Sequence, residues 1–270
     1  MYRRRHCGLV MWYNFIMYII FTLVVLAATI IGAIFGIGGG VIIKPALEAV
    51  SGEPLSVINA LSGLTVLSMA ALSTLRYVRG GLKLNAEIVG LSCGAVAGGF
   101  AGKHFFNIFV SLIPEKSAKT IQCVILILIF IIITQKNRFR VYSIKNVPAL
   151  AGAGLFMGAI SAFLGIGGGP LNILVICVVI GVEAKQAAVY SIFTVLCSQA
   201  ASFLVSVATN GYAGHDMSPL LVMIPASVAG GLIGPVIHRK LNAERFERYF
   251  NMLLWFLAVL NVYNIVKINM

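Results

Sequence analysis

Two glycine clusters, one lysine and a set of hydroxyl and amide side chains are the residues able to do chemistry in this chain. Gly36-Ile37-Gly38-Gly39-Gly40 and Gly165-Ile166-Gly167-Gly168-Gly169 lie 129 residues apart, and each interrupts a long apolar run. Glycines there leave backbone N–H groups without helical partners. Lipid cannot satisfy them, so the segment must be buried in protein or line a cavity. The short helix that follows each cluster aims its N-terminal N–H groups and positive dipole end at the break. Two such ends near the membrane midplane would form a compact anion site, and paired breaks in corresponding halves point to a binding site.

Lys44 follows the first cluster. An ammonium inside an apolar segment costs ~2.5–3.5 kcal/mol at a helix centre, so it must face a cavity or a partner. Its two readings are an anion ligand or gate, and a structural cation paired with Glu48 one turn on or snorkelling to the surface. Ser62 and Thr65 recur at the same offset as Ser191 and Thr194. They are hydroxyl donors to a solute, or they bond their own helix carbonyls. Asn59, Asn172 and Gln199 are further polar groups in apolar surroundings.

The elements that position these residues belong in a membrane. Hydrophobic residues make up 60% of the 270 and charged ones only 10%, where a soluble domain carries about 25% charge. The fold expected is all-α and polytopic. About eight transmembrane helices form two homologous four-helix repeats, each with a Gly-broken half-helix. The net charge of +12 does not point to nucleic acid. Its basic residues sit in short runs at the ends of apolar segments, where they anchor helices near anionic headgroups. No nucleophile–base pair or metal-ligand spacing occurs, so no enzyme and no cofactor are expected. The five cysteines lack Cys-x-x-Cys pairing. Arg3-Arg4-Arg5 and the apolar run from Phe15 resemble a signal peptide, but the run is too long for one and is read as a retained first helix.

Helices are expected over about 15–34, 55–76, 86–102, 119–134, 147–164, 184–208, 219–237 and 246–266, with short ones over 41–50 and 170–181. Residues 103–114 read as an interfacial amphipathic stretch, and the Ile/Leu/Val-rich 119–134 as a lipid-facing helix. The first repeat is residues 1–134, the inter-repeat loop 135–146 and the second repeat 147–270. Between Ser62 and Leu75, seven of fourteen positions are identical at offset 129, and Val96-Ala97-Gly98-Gly99 with Gly102 matches Val228-Ala229-Gly230-Gly231 with Gly234. Those glycines read as close-packing helix faces. Four crossings per half leave the halves in one orientation; five would invert them. Eight spans with the N-terminus inside are favoured.

The blocks from Gly36 to Leu47 and from Gly165 to Pro170 resemble the sulfite exporter TauE/SafE family of membrane transporters, over essentially the whole chain. The second copy departs from the first, with Pro170 directly after the glycines and Leu174 where Pro45 would fall. The resemblance implies permeation of a small anion such as sulfite, thiosulfate or an organosulfonate. The expected function is a multi-pass permease of the bacterial plasma membrane working by alternating access around the two breaks. Its partners would be the anion, the lipid bilayer and a coupling ion (H⁺ or Na⁺), with homo-oligomerisation open. The rival readings are an anion channel and a membrane assembly factor with no solute. The expected solute-binding set is Gly36, Gly38, Gly39, Gly40, Lys44, Asn59, Ser62, Thr65, Gly165, Gly167, Gly168, Gly169, Asn172, Ser191, Thr194 and Gln199.

Overall fold

The computed structural model describes residues 2–51, 53–135, 140–210 and 216–270, with side chains from Met17 onward. Its helices are α1 (Tyr2–Phe35), α2 (Gly40–Val50), α3 (Leu55–Arg79), α4 (Ala86–Leu112), α5 (Glu115–Thr134), α6 (Val147–Leu164), α7 (Gly169–Ile180), α8 (Ala184–Ala208), α9 (Leu220–Lys240) and α10 (Ala243–Asn269). No strand occurs among the described residues. Every long helix except α4 is long and apolar enough to cross a membrane. In α4 five glycines, Lys103 and His104 dilute the hydropathy.

Two expectations are corrected. Residues 103–114 are not a separate interfacial stretch, because α4 runs unbroken to Leu112 and Phe106 is buried. Lys103 and His104 resembled a boundary, but the buried face goes on past them, with Phe106 one turn beyond Gly102. Nor does α5 face lipid all round. Ala118, Gln122, Leu126, Phe130 and Ile133 form a buried stripe, while Val124, Leu128, Ile131 and Ile132 are exposed.

Small residues set the helix packing. Gly90, Gly94, Gly98 and Gly102 of α4 lie against Val147, Ala151, Leu155 and Ala159 of α6. A β-carbon on the inner three would run into α6 backbone, so the helices touch as small-residue faces do. Gly230 and Gly234 of α9 lie the same way on Thr29 and Ala33 of α1. Gly99 packs on Ser198 of α8, and Gly231 on Met69 of α3.

These contacts also give direction. Residue numbers rise together along α4 and α6, and along α1 and α9, from Tyr18 beside Ser218 to Ile34 beside His238. Met69 meets Gly231 and Arg76 meets Arg239, so α3 and α9 are parallel too. Ser92 meets Thr194 and Gly99 meets Ser202, so α4 and α8 are parallel. By contrast Gly63 meets Gln199 while Val66 packs with Val195, so α3 and α8 are antiparallel. Thus α1, α3 and α9 run one way and α4, α6 and α8 the other. The sequence-matched segments α1 and α6, α3 and α8, and α4 and α9 point in opposite directions. The same-orientation arrangement is replaced because α2 turns back along α1 at Gly36–Gly39, and α7 back along α6. Each half then makes five passes of alternating direction.

The bundle has an N-terminal face, where α1 starts and α10 ends, and an opposite face. At the opposite face stand Arg76, Arg79, Lys83, Arg140, Lys145, Lys185, Arg239, Lys240, Arg245 and Arg248; towards the N-terminal face stand Lys103, Lys116, Lys119 and Lys267. Among the described side chains the N-terminal face is the less basic.

Candidate functional site

The two breaks touch. Gly36, Gly38 and Gly39 have φ of 70°, 79° and 65°, and Gly165, Gly167 and Gly168 repeat this with 65°, 74° and 67°. Glycine tolerates such backbone where other residues are strained. A β-carbon on Gly40 would stand 2.7 Å from the Ile166 carbonyl oxygen, and Gly169 lies directly on the Ile37 backbone. The space between the clusters is filled. A β-carbon on Gly38 would meet Val66 Cγ1 at 3.4 Å and Val195 Cγ1 at 3.5 Å, and one on Gly167 would meet the same atoms at 2.8 and 3.3 Å. The centre is therefore a close valine contact without room for a solute.

Several hydroxyls serve the scaffold. Thr65 donates to Leu61 O at 2.7 Å and Thr194 to Tyr190 O at 3.1 Å, each within its own helix. Ser191 Oγ lies 2.8 Å from Gly36 O and 3.3 Å from Gly169 O, bracing both breaks. Ser62 and the Asn172 amide are buried with no hydrogen-bond partner.

Lys44 is 1% exposed and does not form an ion pair with Glu48. Its Nζ donates to Leu164 O and to Gln122 Oε1, while Gln122 Nε2 donates to Phe163 O at 2.9 Å. Together they satisfy two of the carbonyls that a helix C-terminus leaves open, here at the end of α6 before Gly165. The end of α1 is capped by different chemistry. His238 Nδ1 bonds Ile34 O at 2.6 Å and Tyr77 donates to Ala33 O at 3.4 Å.

The open space lies to one side. A cavity of about 30 Å³ sits between α3, α4, the end of α6 and α8, lined among others by Asn59, Gly63, Lys103, Gly165, Gln199 and Ser206. Since a water needs ~10–15 Å³ on this measure, it holds two waters or a very small ion. Both polar atoms of the Asn59 amide and Nε2 of Gln199 are buried without partners. Lys103 Nζ stands 4.9 Å above the Phe106 ring. At the matching place on the other side, offset 129 puts Ala188 for Asn59, Ile192 for Gly63, Ala70 for Gln199 and Tyr77 for Ser206. There Val66, Ala70, Tyr77, Ile192 and Val195 form a closed apolar cluster.

The expected residues therefore divide. Asn59, Gly165 and Gln199 meet at the cavity; the remaining glycines, Thr65, Ser191 and Thr194 build the crossing; Lys44 caps α6; Ser62 and Asn172 are buried away from the cavity lining. Lys103, which the sequence reading left out of the set, also lines this cavity.

The ten helices among the described residues, two of them short and turned back into the core, give a polytopic membrane architecture. Residues 20–261 match the family described as Sulfite exporter TauE/SafE, and the chain belongs to that family. It is similar to a "Probable membrane transporter protein" of Haemophilus influenzae, at 27% identity over 246 residues covering 81% of this chain and 88% of the relative. No solved structure matches it. The protein is a multi-pass membrane transporter of this family.

Proposed function

We propose that this transporter moves a small, sulfur-containing anion by alternating access, with the solute bound at the cavity beside Gly165, which widens from its present two-water volume to admit it. The observation that carries this reading is the cavity's chemistry. Asn59 and Gln199 bring unpartnered amide donors and Lys103 a cation to one space, while the matching region on the other side is sealed. An oxyanion offers several acceptors to such donors, and charge-assisted hydrogen bonds are the strong ones.

The packing supports a duplicated origin. Exchanging α1 with α6, α3 with α8 and α4 with α9 turns the α4–α6 contact into α9–α1 and the α4–α8 contact into α9–α3, and these are the four most extensive helix pairs. Inverted repeats suit rocking between two faces. We assign the more basic opposite face to the cytoplasm by the positive-inside rule, which puts the cavity towards the outside. Glu48 carries the coupling proton in this reading. Its Oε1 is buried without a partner, and Cys123 Sγ lies 3.8 Å from its Oε2.

The test is counterflow in proteoliposomes with labelled sulfite, thiosulfate and small organosulfonates. Saturable exchange supports the carrier; conductance at channel rates overturns it in favour of a channel. Glu48→Gln is expected to abolish uptake driven by a pH gradient and to leave solute exchange intact.

A further inference from the structure

A second cavity lies on the opposite face, where parallel packing brings the C-terminal ends of α3 and α9 together. It measures about 310 Å³, and its lining includes Leu72, Leu75, Arg76, Arg79, Leu232 and Arg239. Arg239 reaches across from α9, its Nη2 3.4 Å from Arg76 O. Gly80 makes room for it, since a β-carbon there would stand 2.5 Å from the guanidinium carbon. No carboxylate among the described residues pairs with the three arginines. Three like charges around one groove repel one another until an anion enters.

The walls distinguish the kind of anion. Leu75 and Leu232 are 45% and 37% exposed directly beside the guanidinium groups. A free inorganic anion has no use for an apolar wall. A phospholipid uses both parts, with its phosphate on the forked donors and its acyl chain along the leucines. Basic clefts between helices on the cytoplasmic side bind such head groups.

We propose that this groove is a binding site for a phospholipid with a net negative head group. The site bridges α3 and α9, so an occupied groove ties the two halves of the bundle together at the face where the cavity's counterpart is closed.

The test uses the full-length protein in detergent, followed by thermal unfolding and by native mass spectrometry. Phosphatidylglycerol is expected to raise the unfolding temperature by about 3 °C or more. Phosphatidylcholine with the same acyl chains and inorganic phosphate should leave it unchanged. The variant with Arg76→Gln, Arg79→Gln and Arg239→Gln should lose that shift and the retained lipid. Arg79→Gln alone, at the rim, should weaken both and serves if the triple variant does not fold. An equal response to the two lipids, a full response to phosphate alone, or an undiminished response in the variants overturns the proposal. Failure of anion counterflow would leave this result untouched, because the two sites share no residue.

Discussion

Gly165 lies against Asn59 so closely that a β-carbon at 165 would stand 2.5 Å from Asn59 Oδ1. Its counterpart Gly36 meets Ala188 instead, where the β-carbon would stand 2.5 Å from Cα of a backbone that cannot turn aside. Both glycines hold positive φ, worth roughly 1–2 kcal/mol against any other residue. Gly165→Ala should therefore cost about that much and push the Asn59 amide out of place. Gly36→Ala should cost distinctly more, because the helices themselves must separate. Thermal unfolding of the two variants in one detergent checks the order, and equal losses would contradict it.

Lys44→Met removes donors from Leu164 O and Gln122 at the buried end of α6. Each unpartnered buried group costs ~1–3 kcal/mol. The variant should lose about 3 kcal/mol of stability with no anion present. A variant of normal stability that had lost only anion binding would return Lys44 to the solute.

Lys103→Gln keeps a donor at the cavity and removes the charge. Anion affinity should fall tenfold to a hundredfold, as expected for ~1.5–3 kcal/mol, with little change in unfolding temperature. Titration calorimetry against sulfite at two salt concentrations reads both the loss and its electrostatic origin.

Tyr77→Ser gives the opposite face the residue that its counterpart position carries at Ser206. It opens the apolar seal and frees Ala33 O. The expected phenotype is an anion leak that no longer saturates, measured as efflux from loaded proteoliposomes. Unchanged saturable exchange would show that the seal lies elsewhere.

Orientation is open to direct chemistry. In a chain freed of its own cysteines, Lys116→Cys should react in intact cells with a maleimide that cannot cross the membrane. Lys83→Cys should react only after the cells are broken. The reverse pattern would place the N-terminal face inside.

Hydropathy was enough for most helices. Val147–Leu164 and Ala184–Ala208 fall on the expected bounds. Offset identities pointed to both glycine breaks. Three things were not legible. Lys44 and Gln122 are 78 residues apart, and no local pattern joins a lysine to the end of another helix. Lys103 resembled a membrane boundary, because hydropathy averages over a turn while packing follows one face. The filled centre depends on Val66 and Val195, which look like any other apolar residues until two antiparallel helices place them together.

The opposed directions of the corresponding helices have an energetic corollary. With two identical halves, the shape open to one side and the shape open to the other would be the same structure turned over, equally populated. Here Asn59, Gln199 and Ser206 face Ala188, Ala70 and Tyr77 across the pseudo-symmetry. Every such mismatch weights the balance, and ~1.4 kcal/mol is already a tenfold preference. Under the alternating access proposed above, a few such differences would decide which door stands ajar when no cargo is aboard.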